Sequence, residues 1–196
     1  MIFKKILLPV LLSGFLVYTP DLVSQNPRMD GYKGIWYSSG EPLEYGYKFS
    51  GGVATFAARH KPNAIYSPEV KKTFFVYSGT TTPEERHLLI MISWFDHRLN
   101  VVPKPLIVHD KMGVSEPQDN ASLSIDKDGY LWVFISGRGR IRPGLIYKSS
   151  KPWSIDGFDK IADTEMISPQ PWYMKDDGFL LMFSKATMGR EIFFSR

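Results

Sequence analysis

A six-residue phrase returns three times along this chain, and it confines the fold more tightly than any other feature. It reads Lys-Thr-Phe-Phe-Val-Tyr at Lys72–Tyr77, Gly-Tyr-Leu-Trp-Val-Phe at Gly129–Phe134 and Gly-Phe-Leu-Leu-Met-Phe at Gly178–Phe183. The copies begin 57 and 49 residues apart. Each is an apolar run entered through turn residues: Glu69–Lys72, Asp126–Gly129 and Lys175–Gly178. A period near about 40–50 residues with strands inside each unit is the spacing of β-propeller blades. Such units bury their apolar faces by stacking on their neighbours.

The intervening sequence agrees. Phe74–Tyr77, Leu88–Trp94, Leu106–Val108, Leu131–Ile135 and Phe179–Phe183 are short runs rich in aromatic or β-branched residues, punctuated by Gly, Pro, Asp and Asn. That is strand chemistry. Glu84–Arg86 and Asp163–Met166 read as short helical turns and nothing longer. Ser124–Trp132 approximates an Asp-box, the turn of sialidase-like propellers, with one extra residue between Asp126 and Gly129. In such a box the Asp carboxylate ties off turn amides, the Gly takes positive φ and the aromatic packs between blades. The box is a folding device and carries no catalytic role. The fold class expected is all-β, a partial β-propeller of about three blades.

The first residues read as a targeting segment. Lys4 and Lys5 precede an apolar stretch, Ile6–Tyr18, and Leu22–Ser24 offers a small residue for cleavage before Gln25. The stretch is shorter than the roughly 20 residues of a membrane span. A signal peptide over residues 1–24 therefore predicts a periplasmic or secreted protein, with no membrane association after cleavage. Cleavage takes the net charge from +4 to +3. That balance permits an acidic ligand and is too weak to argue for nucleic acid. The chain has no cysteine, so neither a disulfide nor a thiolate metal site stabilises it. Four scattered histidines give no metal spacing, and no cofactor is expected.

Further along, nine segments fall in one order: Tyr32–Tyr37, Tyr47–Gly52, Lys72–Phe75, Trp94–His97, Asp119–Asn120, Ser136–Arg140, Arg142–Pro143, Pro169–Trp172 and Gly189–Glu191. Together they resemble the BNR-repeat family of exported bacterial proteins with a sialidase-like propeller. The resemblance spans nearly all of residues 25–196 and implies an incomplete BNR-type propeller domain there. It also implies a carbohydrate ligand, an acidic polysaccharide or oligosaccharide. Relatives in this broad group include polysaccharide lyases acting on ulvan-type polymers and glycosidases acting on rhamnose–glucuronate linkages. A full ring of about seven blades at this spacing needs more than about 300 residues. The expectation is thus of open blade edges able to self-associate. Family members commonly carry His where this chain has Gln118, and often Tyr where Ala186 stands. Both differences remove a group that could move a proton.

Candidate site residues follow from the residue chemistry and the resemblance. Arg138, Arg140 and Arg142 alternate with Gly139 and Ile141, so an extended segment would set three guanidinium groups on one face. A carboxylate or sulfate would relieve their repulsion, and Gly137 and Gly139 would leave room for it. Gln118, Asp119 and Asn120 are candidates to receive sugar hydroxyls, and Trp172 to stack on a sugar ring or be buried between blades. His60 is the candidate general base for the acidic C5 proton of a uronate. His97, beside Asp96, reads as structural because strand neighbours face opposite ways. His87 and His109 read as surface residues. A glycosidase would need a carboxylic acid, with Asp119 the nearest candidate and no evident second carboxylate. Three readings follow: a lyase-like protein, a glycosidase, and a non-catalytic glycan-binding or remnant protein.

Overall fold

The structure, a computed structural model, describes residues 62–79, 87–114, 119–175, 178–186 and 192–195. The expected leader, His60 and Gln118 lie outside the described residues. Within them the chain forms eleven strands and no α-helix. The first sheet is a meander of β1 (Ala64–Ser67), β2 (Lys72–Gly79), β3 (His87–Asp96) and β4 (Leu106–Met112). The second contains β5 (Ala121–Ile125), β6 (Leu131–Ile135), β7 (Gly144–Ser149) and β8 (Phe158–Thr164). The third contains β9 (Ile167–Tyr173), β10 (Phe179–Ser184) and β11 (Ile192–Ser195). Within each sheet every strand pairs antiparallel with its neighbour in sequence. The short helical turn expected at Asp163–Met166 is instead the end of β8 and the link into β9.

Each repeated phrase begins or leads into the second strand of its sheet. The first hairpin pairs Ser67 with Lys72, leaving four residues in its loop, and the other two pair Ile125 with Leu131 and Tyr173 with Phe179, leaving five. Positive φ falls on Gly129 and Gly178 in the five-residue loops, and on Lys71 in the shorter one. The turn at Asp126 closes on its carboxylate despite the extra residue. Asp126 Oδ1 accepts the amides of Asp128 and Tyr130 at 3.0 and 2.9 Å, and Oδ2 accepts the Trp132 indole N–H at 2.9 Å.

Packing explains why the strands read as continuous apolar runs. In β6, Leu131, Val133 and Ile135 face a core shared with Phe74, Val76, Leu88, Ile90 and Ile92 of the first sheet. The alternate residues Trp132 and Phe134 face Leu181, Phe183 and Phe179 of the third. The second sheet is thus covered on both faces, as stacked blades would be, and each strand needs apolar residues on both. The far face of the first sheet, carrying Tyr77, Leu89 and Met91, is also buried. Pro62 just before β1, β5 and β9 approach one another: the Leu123 amide donates to the Pro62 carbonyl at 2.7 Å, and Ser122 Oγ to the Pro169 carbonyl at 2.6 Å.

Candidate functional site

One end of the first two sheets holds two of the three buried charged groups among the described residues, Lys111 and Asp119, the third being Asp96. That end is formed by the end of β2, the end of β4, the residues entering β5 and those leaving β6. A bulge aims Lys111 into it. Met91 pairs with Ile107 but Ile90 pairs with His109, so β4 gains a residue at Val108. Before the bulge Leu106 faces the second sheet; after it His109 and Lys111 take that face, where strict alternation would have put Asp110 and Met112. Lys111 is consequently buried, whereas Met112 is exposed.

Asp119 is the hub, with no accessible surface. Its Oδ2 lies 3.0 Å from Lys111 Nζ, and its Oδ1 accepts from Arg142 Nη2 at 3.2 Å. Arg142 Nε stands 2.7 Å from Oδ2. Its N–H is off the hydrogen-bonding axis, so that contact is one of charge. Lys111 also donates to the Ser136 carbonyl. Burial pulls the Lys111 ammonium below the usual lysine range; the charge and hydrogen bond of Asp119 resist that, and Arg142 adds to it. Among the described residues two cations share one carboxylate, so these three groups carry a net positive charge. Arg142, with 34 % of its side chain exposed, brings that charge to the surface.

Next to the hub, Asn120 Oδ1 accepts Ser78 Oγ at 2.6 Å and the Ala121 amide at 2.9 Å. Ser136 Oγ accepts the Ser168 amide at 2.9 Å and the Gly137 amide donates to the Met166 carbonyl at 2.8 Å, which ties the third sheet to the same end. Asp119 and Asn120, expected to receive sugar hydroxyls, are interior groups instead. Their oxygens already hold Lys111, Arg142 and Ser78.

The arginine segment is not extended. Arg138 and Arg142 pair across a tight turn, with the Arg138 amide donating to the Arg142 carbonyl at 2.6 Å and Gly139 at φ +77°. The three guanidinium groups therefore do not share one strand face. Arg142 folds back onto Asp119, while Arg138 and Arg140 are exposed and Ile141 stands fully in solvent at the tip. Gly137 leaves no room for a ligand: a Cβ there would lie 2.3 Å from the backbone of Pro143 and Gly144. Ala186 borders the turn, 4.0 Å from where a Gly139 Cβ would be.

Trp172 is 45 % exposed, so it is not buried between sheets. It sits five residues along β9 from Ile167, roughly 16 Å toward the opposite end, and is not part of the arginine cluster. His97 accepts or donates a 2.8 Å bond with Thr73 and packs edge-on against Tyr66 and Phe95, a structural role as expected. His109 is not a surface residue. It is half-buried, and its Nδ1 lies 2.9 Å from Tyr147 Oη across the two sheets. Burial, then Lys111, lowers its pKa, while Asp110 opposes them and Lys160 reinforces them. Burial raises that of Tyr147. Sequence reasoning missed Lys111 because the bulge that turns it inward leaves no mark in the residue pattern. Among the described residues no three His, Asp or Glu side chains group as metal ligands.

No family model matches the chain, and no curated protein does. Among solved structures it is similar to an ulvan lyase of a new polysaccharide lyase family, PL25, in a form bound to -[GlcA(1-4)Rha3S]- and in a second structure of that lyase. Both align with a TM-score of 0.54 at 14 % identity over 78 % of this chain. They match over 35 % of the lyase, so the chain spans about a third of its length. The likeness is one of fold.

Proposed function

We propose that this chain is an exported carbohydrate-active protein with a β-propeller of the sialidase-like, BNR-repeat type, and that its Arg138–Arg142 turn recognises the carboxylate or sulfate of an acidic glycan. The observation that carries this reading is the Arg142–Asp119–Lys111 cluster. Asp119 holds one edge of the Arg142 guanidinium, which leaves the group ordered and its charge in excess at a partly exposed position. An arginine fixed in this way loses little freedom on binding an anion, and its planar fork matches a carboxylate or sulfate. Arg138 and Arg140 extend the positive surface beside it. The three stacked meanders and the fold shared with part of an ulvan lyase support the propeller and the glycan class.

If the protein is a lyase, Arg142 and its neighbours neutralise the uronate carboxylate, His60 takes the C5 proton, and a tyrosine protonates the leaving oxygen. A specific observation favours binding without catalysis. Ala186 adjoins the arginine turn, where the resemblance would often set a phenol, and it has no proton to give. The expected result is micromolar to millimolar binding of a sulfated uronate polymer by calorimetry, weakening as salt rises. Arg142→Lys should reduce it about five- to tenfold and Arg140→Lys less, because a point charge lacks the planar fork. Unchanged binding in an Arg138/Arg140/Arg142 triple alanine variant would refute the site. Release of unsaturated uronate ends, followed by ultraviolet absorbance, should be absent. Robust turnover abolished by His60→Ala would overturn the binding-only reading.

A further inference from the structure

At the opposite end of the same two sheets lies a cleft of about 260 Å³ between them, lined by Lys72, Trp94, Trp153, Ser154 and Asp156 among others. The two ends are well separated. Lys111 pairs with Leu88 and Trp94 stands six residues further along β3, roughly 20 Å away. We propose that this cleft is a second glycan subsite, and that it takes an uncharged pyranose ring.

Three observations point to a ligand of that chemistry. First, two half-buried indoles meet in one cleft, and a sugar ring presents an apolar C–H face to aromatic surfaces and hydroxyls to its edges. Second, Trp153 holds a backbone conformation that a bulky residue rarely adopts, φ +55°. Its amide donates to the Gly129 carbonyl at 2.8 Å, and Gly129 packs so closely against its ring that a Cβ would lie 2.2 Å from it. The Asp-box turn thus fixes Trp153 in a strained pose, and the remainder of the indole lines the cleft. Third, the polar groups are balanced. Lys72 Nζ lies 3.7 Å from the Trp94 ring centroid, and Ser154 Oγ donates to Asp156 Oδ2 at 2.9 Å, which orients an exposed carboxylate. One ammonium and one carboxylate in a cleft of that size supply a donor and an acceptor to ring hydroxyls with no net charge, which disfavours a uronate or sulfate. This is the reverse of the arginine end.

The test titrates the full chain with methyl glycosides of a neutral hexose, of a deoxyhexose and of glucuronic acid, followed by tryptophan fluorescence and by indole N–H shifts in NMR spectra. Saturable shifts of two indole resonances are expected with a neutral glycoside at millimolar concentration, and weaker ones with the glucuronide. Asp156→Asn should weaken the neutral sugar about three- to tenfold, and Trp94→Phe should weaken it while keeping the fold. Arg142→Lys should leave it unchanged, which separates this site from the arginine turn. No indole shift with any neutral glycoside, or shifts equal in Asp156→Asn and Trp94→Phe, would overturn the subsite. So would a clear preference for the glucuronide.

Discussion

Replacing Asp119 with Asn tests the charge hub most directly. The change keeps the shape and removes the one negative charge of the cluster among the described residues. Asp119 has no accessible surface, and Lys111 Nζ and Arg142 Nε lie 3.0 and 2.7 Å from its Oδ2. At an effective dielectric of about 20, each contact amounts to about 5–6 kcal/mol of attraction before desolvation is counted. The Arg142 contact is discounted because that side chain is about one-third exposed and screened by water. Lys111 has no such relief: its ammonium would stay buried, with the Ser136 carbonyl and a neutral amide as its partners among the described residues. Breaking a buried pair by removing one partner destabilises by about 3–5 kcal/mol. With a urea slope of about 2 kcal/mol/M, the unfolding midpoint should fall by about 1.5–2.5 M. The double variant Lys111→Met/Asp119→Leu removes both charges, and should recover to within about 1 kcal/mol of the parent. A midpoint unchanged within about 0.5 M in Asp119→Asn, or a double variant as unstable as the single one, would refute the hub.

Other outcomes can be checked in the same way. Gly129→Ala should unfold at lower urea than Gly178→Ala: both positions have positive φ, but a Cβ at Gly129 meets Trp153 at 2.2 Å and one at Gly178 meets nothing within 4 Å. Strain alone should cost Gly178→Ala about 1–2 kcal/mol, with the overlap adding to that at Gly129. Stability should also fall on mild acidification through His109. Burial holds its folded-state pKa below the ordinary 6.5, so the unfolded chain binds the proton more readily. The contribution is present above about pH 6.5 and lost as pH falls through the folded value. His109→Asn should flatten that part of the stability–pH curve measured by thermal melting, and an unchanged slope would show that the proton is taken up elsewhere. In binding assays, Arg142→Lys should lose anionic glycan affinity without shifting the urea midpoint by more than about 0.5 M, since the Lys111–Asp119 pair remains.

Local sequence determined the strands and their hairpins. The continuous apolar run Leu131–Ile135 demands partners on two faces, so the second sheet had to lie between two others. Asp126 and Gly129 close their turn through bonds within five residues, and such short-range chemistry is legible without a structure. His97 is not such a case: it lies in the turn after β3 and its side-chain partner, Thr73, is 24 residues earlier. The candidate site was legible only in part. Arg142 was found by its charge, but the fork it forms depends on Asp119, which lies 23 residues earlier in the chain. Asp119 read as a candidate to receive sugar hydroxyls; it is buried because β4, β5 and the residues after β6 converge on it. Lys111 was not visible at all. One inserted residue at Val108 reverses which face its side chain takes, and a bulge follows from how two strands pair rather than from any residue type. Alternation likewise placed Arg138, Arg140 and Arg142 on one face, until the pairing of Arg138 with Arg142 bent the segment into a turn. Short-range hydrogen bonding and apolar period decided the strands and their hairpins. Burial of charge, which needs groups far apart in sequence to meet, was decided by tertiary structure alone.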